Sequence, residues 1–175
     1  MELVVYPVGI AEWDDRRLRC ALGRSGVSRR KREGDGATPV GTYAMRRVLY
    51  RADRGAMPRT ALPVTPLTPD DGWCDDPADT AYNSQVRLPY RTHCEAMWRP
   101  DGIYDLIIVL GHNDWPVEAG RGSAIFVHLA RPDFAPTEGC IALNGEDLRA
   151  VLSRFRPGDA VRIEPVNPDG GQVNE

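Results

Sequence analysis

Short stretches in which apolar residues alternate with polar ones, or follow one another without interruption, recur along this chain, whereas a single stretch has the period of a helix. Alternation is typical of strands that bury one face, and uninterrupted apolar runs are typical of strands buried on both faces. These patterns predict strands at residues 3–6, 19–22, 42–50, 104–111, 124–129 and 160–164. The sequence therefore predicts a mainly β fold with a few helices, in the α+β class.

The helical period lies near the C-terminus. Leu148, Val151, Leu152 and Phe155 recur at the i, i+3, i+4 and i+7 positions with which an amphipathic helix packs against a core. Asn144, just before them, is a suitable N-cap. We expect a C-terminal amphipathic helix that begins after this residue.

Residues 54–100 break the strand pattern. They hold nearly half of the fifteen prolines of the chain, together with Trp73 and Trp98, and they have no sustained helical or strand period. A loop of this length inside one compact domain usually serves as a lid or a binding surface. We therefore expect a long irregular insertion that forms a lid or one wall of a substrate site.

The composition fits one globular domain without a strong charge. Of the 175 residues, 42% are hydrophobic and 27% are charged, and the formal net charge is -3. This charge argues against a nucleic-acid binder that relies on a strong positive field. We expect a single domain over residues 1–166, a frayed tail at 167–175, and a charged, solvated loop at 29–36.

No targeting segment is visible in the sequence. No early stretch combines a basic leader, an apolar core and a small-residue cleavage site, and no apolar run approaches the roughly 20 residues of a membrane-spanning helix. The four cysteines, Cys20, Cys74, Cys94 and Cys140, form no Cys-x-x-Cys pair. Their number leaves the redox compartment undecided, and whether Cys74 pairs with Cys94 stays open.

Cys140 has the surroundings of a nucleophile. It follows Gly139 and precedes an apolar run, and His128 lies twelve positions upstream in an alternating stretch. An imidazole that accepts the thiol proton activates a cysteine, and a glycine lets a substrate backbone come close. Free cysteine is also often a small buried hydrophobe, and a strand histidine is often a hydrogen-bonded structural residue, so the two residues alone leave both interpretations open.

Separated motifs carry a resemblance to a known family. Residues 123–128 read Ser-Ala-Ile-Phe-Val-His and residues 137–141 read Thr-Glu-Gly-Cys-Ile. In this order they resemble the YkuD-type L,D-transpeptidase domain, in which a histidine precedes a Ser/Thr-His-Gly-Cys signature. Residues 38–43, Thr-Pro-Val-Gly-Thr-Tyr, are similar to the Thr-Pro-x-Gly-x-Phe stretch that opens the same domain. The resemblance spans residues 3–164 and implies a YkuD-like β-sandwich or barrel.

The chain departs from the family signature in two ways. Glu138 stands where the signature has its own histidine, and the interval from His128 to Thr137 is shorter than usual, so the base is carried over only onto His128. A branch of the family shares both departures. Residues 71–76, Asp-Gly-Trp-Cys-Asp-Asp, and 82–83, Tyr-Asn, resemble enzymes of that branch that make 1,3 cross-links between L-alanine of one peptidoglycan stem and diaminopimelate of another.

The resemblance implies a cysteine acyltransferase that uses no cofactor and no metal. His128 would deprotonate Cys140, whose thiolate would attack the donor carbonyl and form a thioester. The amides of Gly139 and Cys140 would stabilise the oxyanion, and the Leu129 carbonyl would orient the imidazole. Glu138 would contact the cationic centre of diaminopimelate or pair with an arginine such as Arg131.

Further polar residues are candidates for contact with the stem peptides. Some follow the predicted strand 104–111, and polar residues at a strand end commonly line a cleft, although a turn cap suits Asn113 and Asp114 as well. The predicted substrate-binding residues are Glu138, Thr137, Arg131, His112, Asn113, Asp114, Tyr82, Asn83, Thr38 and Asp35.

The implied partners are donor and acceptor stem peptides of peptidoglycan, with carbapenem-type β-lactams as acylating inhibitors. The implied location is the periplasm or cell envelope, and a cytoplasmic location stays open because no signal peptide is visible. The same catalytic residues would also serve a 3,3-cross-linking transpeptidase, or an L,D-carboxypeptidase or endopeptidase that hydrolyses the acyl-enzyme.

Two readings from other classes also stay open. A metal-binding protein would draw its ligands from His93, His112, His128, Cys74, Cys94 and Glu138, but the usual ligand spacings are missing. A non-catalytic wall-binding module would have no use for a paired cysteine and histidine.

Overall fold

The computed structural model describes residues 1–168, so most of the tail predicted at 167–175 lies outside the described residues. The strands are β1 (Glu2–Tyr6), β2 (Ile10–Trp13), β3 (Arg16–Ala21), β4 (Val27–Ser28), β5 (Thr38–Pro39), β6 (Gly41–Tyr50), β7 (Val64–Pro66), β8 (Asp71–Cys74), β9 (Gln85–Arg87), β10 (Cys94–Ala96), β11 (Leu106–Leu110), β12 (Phe126–Leu129), β13 (Ile141–Leu143) and β14 (Ala160–Ile163). The single α-helix of the described residues, α1, is Gly145–Arg154. The predicted mainly β class is confirmed, with one helix instead of a few.

The main sheet closes on itself. Its nine strands follow the order β11-β12-β13-β3-β2-β1-β14-β6-β7, and β6 also pairs with β11. This closure depends on the length of β6, which pairs with β14 along its first residues and with β11 along its later ones. The result is a barrel-like framework in which β12 and β13 lie side by side and parallel.

Neighbouring residues of β11 are buried on opposite faces of the sheet. Ile108 belongs to the larger core cluster, which also contains Ile141 and the helical residues Leu148 and Phe155. Ile107 belongs to a second cluster on the other face of the strand. Burial on both faces explains why this strand is an uninterrupted apolar run.

The helix begins and ends as its sequence predicts. The Asn144 side chain accepts a hydrogen bond from the Asp147 amide and so caps the first turn. Leu148, Val151 and Leu152 face the core, and the ring of Phe155 lies 5.8 Å from the ring of Trp13. The helix therefore covers one part of the larger core cluster.

The segment 54–100 is more regular than predicted. It contributes β7 to the main sheet and forms a separate three-stranded sheet in the order β10-β8-β9. Cys74 and Cys94 face each other across the β8–β10 ladder, and both thiols are free. Because these strands have only three or four residues, they are too short to show a period in the sequence.

The insertion covers the second face of the barrel. Its Trp73 and Met97 belong to the same cluster as Ile107 and Phe126, and the Trp73 and Phe126 rings pack edge to face at 4.9 Å. Cys140 belongs to this cluster too. The candidate nucleophile therefore lies where the insertion meets the barrel.

Candidate active site

A cavity of about 390 Å³ lies between the barrel and the insertion. Cys140 and His128 both line it, together with Glu95 and Arg99 from the insertion and Tyr104 from just beyond it. The cavity therefore combines a thiol, an imidazole and charges of both signs.

The parallel pairing of β12 with β13 directs the thiol and the imidazole to the same face. His128 stands opposite Ala142 in the ladder, and Cys140 lies two residues before Ala142. Residues two apart on a strand share a face, so Cys140 lies on the face that carries His128. The interval of twelve residues lets the chain leave the sheet after β12 and return to it as β13, beside β12 and in the same direction.

His128 is held as a neutral imidazole with a defined tautomer. Its Nδ1 lies 2.9 Å from the Leu129 carbonyl oxygen, which is the contact that the family resemblance implies. Because a carbonyl only accepts, Nδ1 carries the proton and Nε2 is the basic nitrogen. Burial lowers the pKa of His128 to about 4. The edge of this imidazole packs against the ring of Tyr104 at 5.3 Å.

Cys140 is held as a neutral thiol. Its Sγ donates to the Ala124 carbonyl at 3.1 Å and accepts from the Phe126 amide at 3.4 Å. Burial raises the pKa of Cys140 to about 12; the negative charge of Glu95 also raises this pKa, while the Phe126 amide and Lys31 lower it. The Cys140 thiol and the His128 imidazole are thus both uncharged near neutral pH. The thiol proton passes to the imidazole only when the charge that develops on a substrate is stabilised.

Gly139 cannot be replaced by a residue with a side chain without strain. Its φ is 136°, which L side chains rarely adopt, and a Cβ there would lie 2.9 Å from the Ala37 carbonyl oxygen. Its amide donates to Thr137 Oγ1 at 3.1 Å, and the same hydroxyl donates to the Cys140 carbonyl at 2.6 Å. Thr137 therefore braces the loop, and the Gly139 amide must exchange this bond before it can bind an oxyanion.

Glu138 pairs with an arginine, as predicted, but the partner is Arg24 and not Arg131. Its carboxylate accepts from Arg24 Nε at 2.9 Å and is 80% exposed. Arg131 instead pairs with Asp101 at 3.1 Å. Both Glu138 and Arg131 line the cavity at its rim, and their contact with a substrate stays a prediction.

Thr38 and Asp35 do not line the cavity and have framework contacts instead. The hydroxyl of Thr38 accepts from the Gly23 amide at 2.9 Å and is fully buried. Asp35 pairs with Lys31, and Lys31 is itself only 8% exposed. The loop at 29–36 is therefore solvated only in part: Arg29, Arg30 and Arg32 are exposed as its charge predicts, whereas Lys31 is buried against the loop that carries Gly139.

Tyr82 and Asn83 likewise lie behind the cavity wall. The Tyr82 hydroxyl donates to Glu33, which does line the cavity. The Asn83 Oδ1 accepts from the Trp73 indole and from the Ala124 amide, each at 3.0 Å. Asn83 thus joins the insertion to the loop before β12, the strand that bears His128. These contacts give Asn83 a structural role that requires no contact with a substrate.

The predicted residues after β11 also lie outside the cavity. The Asn113 side chain bonds to the backbone of Glu118 and Gly122, and Asp114 pairs with Arg46 at 2.7 Å. His112 Nε2 lies 3.0 Å from the Arg121 carbonyl oxygen. The structure therefore favours the turn-stabilising alternative for this segment.

The sequence analysis missed several residues of the cavity. Glu95 and Arg99 lie in the insertion without any period, and Tyr104 appears in the sequence only as the start of a buried strand. Ser123 is the first residue of the motif at 123–128, but the motif by itself indicates no role for this serine. The one sequence signal for these residues was the Glu-x-x-x-Arg spacing of residues 95 and 99. An acidic and a basic residue inside an aromatic-rich insertion can form the polar wall of a substrate site.

The metal-binding alternative has no support in the geometry. Within residues 1–168, no three histidine, cysteine or acidic side chains lie together as a metal site requires. The same residues contain no helix long and apolar enough to cross a membrane.

A closed β framework with a cysteine directly before one strand and a histidine on the parallel neighbouring strand is the arrangement of a cysteine acyl-transfer domain. The sequence matches the model of one such family, the YkuD L,D-transpeptidase catalytic domain, over residues 5–163. The chain therefore belongs to the YkuD family, whose members act on peptidoglycan peptides. Comparison with curated proteins found no match, and comparison with solved structures found none either.

Proposed function

We propose that this protein is a peptidoglycan L,D-transpeptidase that forms 1,3 cross-links through a thioester on Cys140. The carrying observation is that Cys140 and His128 line one cavity, while the Leu129 carbonyl holds the Nδ1 proton and leaves Nε2 free to act as a base. No other cysteine of the described residues lines this cavity.

In the first step His128 Nε2 accepts the thiol proton as Sγ attacks the carbonyl carbon of the donor L-residue. The C–N bond to the following D-residue then breaks, and the imidazolium returns the proton to the leaving amine. This step leaves a thioester and a neutral imidazole. Because the thioester keeps the energy of the cleaved amide, no nucleotide is consumed.

In the second step a neutral amine of the acceptor attacks the thioester carbon. The C–N bond forms, His128 accepts a proton from the amine, and the departing thiolate of Cys140 takes that proton as the C–S bond breaks. Thiol and imidazole are regenerated in their uncharged resting forms. Hydrolysis by water follows the same route, so the identity of the second nucleophile decides between transfer and carboxypeptidase or endopeptidase activity.

The 1,3 assignment is supported by the segments that resemble the 1,3-cross-linking branch. Within residues 71–76, Asp71–Cys74 form β8, and Asp75, the next residue, lines the cavity. Arg99 and Arg131 line it as well and suit the carboxylates of a stem peptide. A 3,3 cross-link is the alternative outcome of the experiment below.

A carbapenem-type β-lactam would acylate Cys140 by the same first step, because its strained amide offers the same kind of carbonyl. Peptidoglycan stem peptides as substrates also suggest a location in the cell envelope. Both statements follow from the proposed activity.

The experiment that tests this function is mass spectrometry of products formed from purified stem-peptide donors and acceptors. We expect the wild type to form a thioester adduct and a dimer linked through L-alanine and diaminopimelate, and Cys140→Ala to form neither. Cys20→Ala is a matched control, because Cys20 is also a buried free thiol but lies on β3 away from the cavity. A Cys140→Ala protein that makes the same dimer at the same rate would overturn the proposal, and a dimer joined through two diaminopimelate residues would replace 1,3 by 3,3.

A further inference from the structure

The insertion contributes a carboxylate, Glu95, to the lining of the active-site cavity. Glu95, on β10, lines the cavity, and its charge is among the causes that raise the pKa of the Cys140 thiol. The Tyr104 hydroxyl donates to Glu95 Oε1 at 2.7 Å. Since the ring of Tyr104 also packs against His128, one tyrosine positions Glu95 beside the candidate base.

Protein groups satisfy only one oxygen of this carboxylate. Arg99 Nη1 lies 3.8 Å from Oε1, but Arg99 directs its Nε and Nη2 to Asp101, at 3.0 Å and 2.8 Å. Arg131 also bonds to Asp101. Among residues 1–168 no hydrogen bond reaches Glu95 Oε2, so this oxygen remains available to a ligand in the cavity.

A second group in the same cavity lacks a partner. Ser123 is 7% exposed, lines the cavity, and its Oγ forms no hydrogen bond with any described residue. A buried hydroxyl without a partner destabilises the site, because its lost contact with water is not compensated, and a hydrogen bond to a bound ligand would remove this cost. Glu33 and Asp75 add negative charge to the same lining. An unpaired carboxylate oxygen, an unpaired hydroxyl and nearby negative charge together suit a group with several N–H donors and a positive charge.

We propose that Glu95 and Ser123 form the subsite that binds the side-chain ammonium group of the acceptor, with Tyr104 as the positioning residue for Glu95. This inference rests on the proposed transpeptidase function and assigns its acceptor site to residues of the insertion and the loop before β12. The ammonium group gives one proton to the Glu95 carboxylate, which passes it to water. The resulting neutral amine then attacks the thioester as described above. The amine released in the first half-reaction takes up one proton from water, so the overall transfer neither releases nor consumes a proton.

The test separates the two half-reactions. The purified protein is first acylated with a stem-peptide donor, and intact-protein mass spectrometry measures the acylation. Free diaminopimelate is then added at increasing concentration. We expect Glu95→Gln to acylate at least as fast as the wild type, because losing the Glu95 charge favours the Cys140 thiolate. It should need an acceptor concentration about 10–100 times higher for half-maximal aminolysis, the effect of losing one charge-assisted hydrogen bond.

Water provides an internal reference in the same experiment. Because water carries no charge, hydrolysis of the thioester in Glu95→Gln should stay at the wild-type rate, and the product ratio should shift from cross-link to hydrolysis. Glu118→Gln is the matched control, because Glu118 pairs with Arg121 at the surface and is 63% exposed. Ser123→Ala, which keeps the carboxylate, should raise the acceptor requirement by about threefold to tenfold.

Each outcome bears on a different claim. An acceptor requirement unchanged in both Glu95→Gln and Ser123→Ala would overturn the subsite while leaving the transpeptidase function in place. Equal losses of acylation, hydrolysis and aminolysis would show that Glu95 only supports the structure, and would overturn the subsite as well. Failure of the wild type to form any thioester would overturn the proposed function itself.

Discussion

The barrel and the insertion face each other across the same cavity, but they are built by different interactions. All five residues of β11 are buried, whereas the strands β9 and β10 consist of half-buried and exposed residues. The insertion combines one fully buried strand, β8, with polar contacts, such as the stacking of Arg51, just before the insertion, on the ring of Trp98 at 3.4 Å and the ion pair of Arg91 with Asp79 at 2.7 Å. The comparison teaches that apolar packing holds the reacting groups, while the insertion adds charged residues such as Glu95 and Arg99 to the cavity wall.

The largest expected effect concerns the catalytic strand of the barrel. His128→Asn removes the base, so we expect the rate of thioester formation to fall about 10²–10⁴-fold, the usual contribution of a general base. Donor acylation followed by mass spectrometry measures it. His112→Asn is the matched histidine control, because His112 does not line the cavity, and equal losses in both variants would contradict the assignment of the base.

The next effect compares packing in the two regions. Ile108→Ala empties a fully buried position of β11, and we expect it to lower the free energy of unfolding by about 2–5 kcal/mol. Val86→Ala on β9, which is only half-buried, should cost about 1 kcal/mol or less. Chemical denaturation measures both variants, and equal costs would show that the insertion is packed as tightly as the barrel.

The third effect is a pH dependence that arises in the barrel. His128 has a folded pKa of about 4, below its usual value near 6.5, so the folded state favours the neutral imidazole. Its contribution to stability is present above pH 6.5 and is lost as the pH falls to 4, by about 3 kcal/mol. Chemical denaturation of wild type and His128→Asn between pH 7 and pH 4 gives the free energy of unfolding of each protein, and the difference isolates the contribution of His128. If the two proteins lose the same stability, the imidazole is not buried in its neutral form.

The smallest effect tests the junction between the two regions. Asn83→Ala removes the acceptor of the Trp73 indole and of the Ala124 amide, and we expect a loss of about 1–3 kcal/mol in the free energy of unfolding. Activity should fall as well, since the Ala124 carbonyl holds the thiol. The neighbouring exposed Ser84→Ala is the control. Unchanged activity in a folded Asn83→Ala protein would mean that the junction does not position Cys140.

Local patterns in the sequence were enough to find most of the barrel and its helix. The long strand β6, the apolar strand β11 and the capped helix α1 each carry a period that depends on nearby residues. The strand β2, at Ile10–Trp13, was missed because it is short and lies close to polar turns. The small sheet of the insertion was missed for the same reason.

The candidate site divides in a similar way. Cys140, His128 and Gly139 were identifiable because their motifs are continuous in sequence. The pairing partners of Glu138, Arg131 and Asp35 were not, because each salt bridge depends on which loops meet after folding. Seven predicted substrate residues form framework contacts outside the cavity, since a polar residue at a strand end can serve a turn as readily as a cleft.

The sequence by itself determined the mainly β class, the C-terminal amphipathic helix and the cysteine and histidine motifs of a YkuD domain, because these depend on short-range periodicity and on contiguous residues. Only the tertiary structure decided that β6 closes the sheet and that the insertion contributes Glu95 to the cavity beside Cys140. It also decided that the thiol and imidazole rest uncharged. These features depend on burial and on contacts between residues far apart in the chain, which no local pattern encodes.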